Sequence, residues 1–304
     1  LAPPPPDGAR RILFAGSIET TKREVEMKLV SFTRDGRAGW GIVEGDGVRD
    51  MSAALRGVTT LRALLDQGGI EAARMAAPAA PLVPLAEIAL LPALPDPSKI
   101  FCIGLNYQEH REETNNPVVE NPTIFVRFAN SLNAHGAPIE YPAETTKLDF
   151  EAELAVVIGK AGRRIARENA FDHVAGYACA NDVSVRDWQR HTSQMTPGKN
   201  WPTTGPLGPW LVTPDEVGEL AGLAIRCRLN GETVQDAVLG DMIFDIPRLI
   251  SYISTFTELV PGDVIFTGTP GGVGARREPP LFMKPGDTVE IEIEKVGLLV
   301  NQIV

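Results

Sequence analysis

At 304 residues, 43% hydrophobic and 22% charged, the chain has an ordinary globular composition and apolar material for one large domain plus a small one. A formal net charge of −10, with no Lys/Arg cluster, argues against a nucleic-acid surface. No apolar run approaches the roughly 20 residues that cross a bilayer, so a membrane-spanning chain is not expected. Cys102, Cys179 and Cys227 lack C-x-x-C spacing and read as buried thiols in a reducing, cytoplasmic compartment. Four histidines are too few for a His-rich zinc site.

In chain order, residues 1–26 read as an irregular N-terminal extension with a polyproline stretch at Pro3–Pro6, and Met27 opens a clean strand. Residues 27–97 read as a small α+β domain and linker. Its strands are Leu29–Phe32, Trp40–Val43 and Gly47–Asp50, with turns at Asp35-Gly36 and Asp46-Gly47. Leu61, Leu64 and Leu65 have helical spacing, and the helix ends near Gly68-Gly69 or resumes beyond it. Pro81–Pro97 reads as a linker laid across the surface. The main domain, 98–304, is a loop-rich and mainly β unit whose prolines and glycines separate short strands. Asn230-Gly231 marks a hairpin. The segment Phe244–Thr255 predicts a helix capped by Asp245, with Ile246, Leu249, Ile250 and Ile253 on one face.

The chemistry begins at Phe150-Glu151-Ala152-Glu153-Leu154, which opens one of the most apolar runs in the chain. Residues two apart on a strand share a face, so Glu151 and Glu153 lie side by side and lose hydration together. On an edge strand they would simply face water. On a buried one they need a cation, and Asp182, at the end of a second predicted strand, would complete an oxygen set for Mg²⁺ or Mn²⁺. His110 and Glu113 would be neighbours if the segment after Asn106 is helical, either as a general base with its orienting carboxylate or as a routine surface pair. The run Gly268-Thr269-Pro270-Gly271-Gly272-Val273-Gly274 offers backbone N–H groups and the Thr269 hydroxyl to a carboxylate, or is a tight surface turn; it is neither a Walker loop nor a dinucleotide fingerprint. Lys199 could hold an enolate or lie in solvent. Arg186, near Gln189, could grip a ligand carboxylate or pair with Asp182 or Asp187.

Taken in order, G-L-N-Y-x-x-H-x-x-E, F-E-A-E-L-A-V-V-I-G, N-D-V-S-x-R-D-x-Q, G-K and G-D-x-I-x-T-G-T-P-x-G-V-G closely resemble the fumarylacetoacetate hydrolase superfamily, in its bacterial acylpyruvase and isomerase-like members. The resemblance spans Lys99 to Val304. It implies a mixed β-roll or β-sandwich catalytic domain, a homodimer and a small-molecule keto-acid substrate. It also implies Mg²⁺ or Mn²⁺ held by Glu151, Glu153 and Asp182, a His110–Glu113 dyad on a lid, and Lys199 as a catalytic cation. Thr269, with Gly268, Arg186 and Gln189, would contact substrate. Many relatives have Phe-x-Lys-Pro where this chain has Phe125-Val126-Arg127-Phe128, which makes Arg127 a candidate carboxylate contact. The expected reaction is hydrolytic C–C cleavage of a β-diketo acid of the acylpyruvate type, with water activated by the dyad. The alternatives are a 2-keto-acid decarboxylase of the oxaloacetate type, a tautomerase, or a metal-binding protein without turnover. Substrate size would depend on the loops at Asn115–Asn121 and Gln194–Thr204.

Overall fold

The computed structural model describes residues 26–113 and 119–304. The expected extension before Glu26, and residues 115–118 of the first specificity loop, therefore lie outside the described residues.

The fold is α+β and is organised around a 12-stranded sheet whose middle strands run Gly205–Val212, Val174–Asn181, Ala152–Ile158, Val264–Phe266 and Ile100–Gly104 in spatial order. Every residue of Ala152–Ile158 is buried. Leu154, Val156 and Ile158 face a core shared with the four-stranded sheet (Ile225, Cys227, Ile291, Ile293) and the helix Ile246–Phe256. Ala155 and Val157 face a second core shared with Leu61, Leu64 and Leu65. The alternation of a strand thus fills both faces with apolar side chains, as a central strand requires. The helix Ile246–Phe256 forms as its pattern predicts: Asp245 accepts from the Arg248 amide at 2.9 Å, and Leu249, Ile250 and Ile253 are buried.

The N-terminal unit merges with this sheet. Lys28–Arg34 pairs antiparallel with Gly205–Val212, and Leu29 lies opposite Leu211. Pro81–Pro97 keeps most of its residues at or near the surface, as its composition suggested, but it is more than a linker. Leu82–Pro84 and Ala89–Leu90 add to the sheet, and Ala93 and Leu94 are fully buried. Val83, Ala93 and Leu94 are apolar residues scattered among prolines, too sparse to show a period in the sequence, yet each finds a buried position.

Strand direction gathers the polar chemistry at one end. Val264–Phe266 runs parallel to Ile100–Gly104 and antiparallel to Ala152–Ile158, which is antiparallel to Val174–Asn181. The C-terminal ends of three strands therefore meet the N-terminal end of Ala152–Ile158. Asn106, fully buried, stitches the loops there: its Nδ2 donates to the Phe244 carbonyl at 3.0 Å and the Thr267 carbonyl at 2.7 Å, and its Oδ1 accepts from the Phe244 amide at 2.8 Å. Asn106→Ala would strand these backbone groups. It is expected to cost about 2–4 kcal/mol of unfolding free energy, measured by urea denaturation with linear extrapolation.

Candidate active site

Glu151 immediately precedes the strand Ala152–Ile158, and Asp182 immediately follows Val174–Asn181. The ladder continues past both strand ends, because the Asp182 amide donates to the Glu151 carbonyl at 2.9 Å and the Glu151 amide donates to Asn181 Oδ1 at 3.0 Å. Glu153, two residues on, shares Glu151's face. One oxygen from each of Glu151, Glu153 and Asp182 can be chosen so that all lie within 4.8 Å of one another, and all three residues are buried. A fourth acid, Asp149, is fully buried beside them, and accepts from the amides of Phe150, Gly274 and Ala275 at 2.9, 2.8 and 2.9 Å.

Basic side chains are built into the same region. Arg186 pairs with Asp149 and Glu151, each at 2.7 Å. Arg127 pairs with Asp182. The Lys199 ammonium donates to Glu151 Oε2 at 2.7 Å, Asp182 Oδ2 at 2.6 Å and the Asp182 carbonyl at 3.2 Å, which uses its three hydrogens. Lys199 reaches this depth because Gly198 packs on Gln189: a Cβ at 198 would lie 2.4 Å from the Gln189 Cα.

Electrostatics separates the acids. Burial raises the Glu151 pKa, but the Lys199 and Arg186 charges overcome it and hold this carboxyl far below the usual range. Burial, then the charges of Asp182 and Glu151, push Glu153 well above the ordinary glutamate value. Among the described residues no basic side chain pairs with Glu153; the Gly268 amide donates to its Oε2 at 2.7 Å. Four acids (Asp149, Glu151, Glu153, Asp182) against three bases (Arg127, Arg186, Lys199) leave one formal negative charge. A divalent cation would change that to one positive charge, which suits an anionic ligand. The oxygen donor set fits Mg²⁺ or Mn²⁺ better than a soft metal.

A cavity of about 330 Å³ opens over this centre, lined among others by Glu151, Glu153, Lys199, Thr269 and His110. His110 lies on the helix Gln108–Glu113, and its Nδ1 is 2.6 Å from Glu113 Oε1. The other Glu113 oxygen accepts from the Gly272 amide at 3.0 Å, which ties the helix to the glycine loop. Thr269 Oγ1 accepts from Gln235 Nε2 at 2.9 Å, so its own O–H can donate into the cavity.

The model for the C-terminal domain of fumarylacetoacetate hydrolase matches residues 99–304. The chain belongs to the fumarylacetoacetate hydrolase family. It is 48% identical to the mitochondrial oxaloacetate tautomerase fahd2 of Xenopus laevis over 217 residues, covering 71% of this chain and 68% of the relative. It is 47% identical to the mitochondrial oxaloacetate tautomerase FAHD2A of Homo sapiens, covering 68% and 67%. Among solved structures it resembles the maleylpyruvate hydrolase of Sphingobium sp. SYK-6 in complex with manganese(II) and pyruvate: TM-score 0.75, 31% identity, 91% of this chain and 99% of that one. The fumarylacetoacetate hydrolase of Exiguobacterium antarcticum gives a TM-score of 0.82 at 34% identity, with 91% and 99% covered. The family's enzymes act on small molecules, and the fold expected from the motifs is the one observed.

Within this family site, the structure gathers Glu151, Glu153, Asp182, Lys199, His110 and Glu113 as the motifs suggested, and redirects others. Arg127, expected at a substrate carboxylate, has a fully buried side chain; it donates to Asp182, the Val183 carbonyl and Thr204 Oγ1, and does not line the cavity. It is a counter-ion behind Asp182. The Gly268 amide is taken by Glu153. A φ of +101°, and the 2.6 Å that would separate a Cβ at 268 from the Asn106 Cβ, explain why this residue is glycine. Among the described residues Arg186 pairs with neither Asp182 nor Asp187 and its buried Nη2 has no partner; it lines the cavity with Gln189, so it keeps a donor for a ligand. Sequence reasoning missed Asp149 and Gln235. Asp149 was legible, since acids at 149, 151 and 153 share one strand parity. Gln235, whose Oε1 accepts from the Ala152 amide at 2.9 Å, comes from a distant strand and carries no local signal.

Glu153→Gln removes the one acid of the cluster without a basic partner. Calorimetric titration is expected to show Mn²⁺ affinity weakened about 100-fold or more. Thermal unfolding of the metal-free variant is expected to show a gain on the order of 1 kcal/mol, because a desolvated carboxylate is gone.

Proposed function

We propose that this chain is a divalent-metal-dependent tautomerase of 2-keto acids of the oxaloacetate type, interconverting keto and enol forms. The observation that carries this reading is the joint placement, around one cavity, of a buried carboxylate cluster short of one positive charge and a His–Glu pair suited to moving protons. The two tautomerase relatives, at 48% and 47% identity, favour it over the hydrolysis first expected from the motifs.

A bound Mg²⁺ or Mn²⁺ would supply Lewis acidity at the 2-keto oxygen. The protein's own groups do the rest. Thr269 O–H and Arg186 Nη2 orient the carboxylate end of the substrate from the cavity wall. His110, with Nδ1 on Glu113, takes a proton from the carbon next to the keto group through Nε2. The C–H electron pair becomes the new C–C double bond and the keto oxygen gains the charge; the proton held by His110, or one exchanged for it with water, then goes to that oxygen to give the enol and restore the neutral imidazole. Ketonisation is the reverse. Lys199, held against Glu151 and Asp182, places a fixed positive charge near the developing oxyanion.

Hydrolysis remains a second reading on one observation, the likeness to a maleylpyruvate hydrolase, since the same dyad could activate water instead. We also infer a homodimer, and a reducing compartment on the strength of three buried, unpaired cysteines; no described helix is long and apolar enough to cross a membrane.

Product analysis by NMR tests the reading. Oxaloacetate enol is expected to convert to an isomer of unchanged mass in the presence of Mn²⁺, and not after chelation. Pyruvate with CO₂ would instead mark a decarboxylase, and pyruvate with a second acid from an acylpyruvate would mark a hydrolase. His110→Ala is expected to lower kcat by about 10²–10⁴ while Mn²⁺ binding persists.

A further inference from the structure

The cavity carries positive charge that neither the acidic centre nor the proton-transfer pair uses. Arg190 caps the helical turn Arg186–Gln189, and Arg276 ends the turn Gly274–Arg276 after the glycine loop. Both line the cavity and both are exposed. Among the described residues neither guanidinium has a hydrogen-bond or ion-pair partner, whereas Arg127, Arg186, Arg228 and Arg277 are all engaged. Partial burial, then the charges of Arg276 and Arg186, hold Arg190 below the ordinary arginine value, so these groups sit in one another's field. Two like charges on the wall of one cavity are a cost that an anion would relieve. The guanidinium fork matches a carboxylate in shape as well as charge.

A ligand with a single carboxylate, bound at the acidic centre, would leave both arginines without a role. We propose that Arg190 and Arg276 recognise a second carboxylate, and so select dicarboxylic 2-keto acids over those with a neutral far end. This inference rests on the 2-keto-acid reading above and adds the residues that decide among such acids. The wall also carries the neutral polar side chains of Gln189, Thr192 and Ser193, but a hydroxyl or amide offers a carboxylate no opposite charge and no fork of parallel N–H donors.

The test is calorimetric titration of Mn²⁺-loaded protein with oxaloacetate, with 2-oxoglutarate, and with each as the methyl ester of its far carboxyl. Wild type is expected to bind at least one diacid roughly tenfold or more tightly than its ester. In R190Q/R276Q that preference is expected to shrink to within about twofold. Both residues are exposed, so the variant keeps its fold, checked by its thermal unfolding. Equal binding of diacid and ester by wild type for both acids, failure of both diacids to bind, or a preference that survives in the double variant would each overturn the proposal. Titration needs no turnover: a protein that prefers diacids yet does not exchange enol and keto forms would keep this inference and lose the tautomerase reading.

Discussion

Desolvated negative charge at the end of the strand Ala152–Ile158 is the constraint on which the rest of the site depends. Two unit charges about 4 Å apart interact by about 4 kcal/mol at an effective dielectric of 20, so four clustered carboxylates cannot all stay ionised without compensation. The chain supplies it from three separate segments, at Arg127, Arg186 and Lys199. Glu151 and Asp182 each touch two of these bases, whereas Asp149 has Arg186 alone among the described residues, so removing Arg186 would leave a buried acid without a cation and cost more than the pair itself is worth. The cluster still falls one charge short at Glu153, and that shortfall is what would let a packed polar core take up a cation.

The architecture makes this burial unavoidable. A strand with apolar neighbours on both faces and hydrogen-bonded strands on both edges leaves solvent only at its ends. The N-terminal unit helps to close one face: its helix residues Leu61, Leu64 and Leu65 share a core with Ala155 and Val157. That packing leaves no room for water on this face of the strand.

The His110–Glu113 pair belongs to a different element, the short helix Gln108–Glu113, which is joined to the centre through a few specific bonds. Glu113 bridges His110 and the Gly272 amide, and Asn106 fixes the loop from which the helix departs. The glycine loop thus serves three parties at once: Gly268 holds Glu153, Gly272 holds Glu113, and Gly274 holds Asp149. Its glycines read in sequence as a candidate anion cradle, yet these three amides are directed at the protein's own carboxylates.

The sequence by itself determined the local facts: the apolar alternation of residues 152–158, the parity that puts Glu151 beside Glu153, the i, i+3 spacing of His110 and Glu113, the capped helix at Asp245, and the motif order of the family. These were legible because each depends on neighbours within a few positions. Tertiary structure alone decided where the charges went. It sent Arg127 behind Asp182, buried Val83, Ala93 and Leu94 out of a proline-rich stretch, brought Gln235 to Thr269, and left Arg190 and Arg276 at the cavity with no partner among the described residues. A long cationic side chain can satisfy any acid within its reach, so its partner is fixed by which strands lie side by side. No periodicity in the chain encodes that.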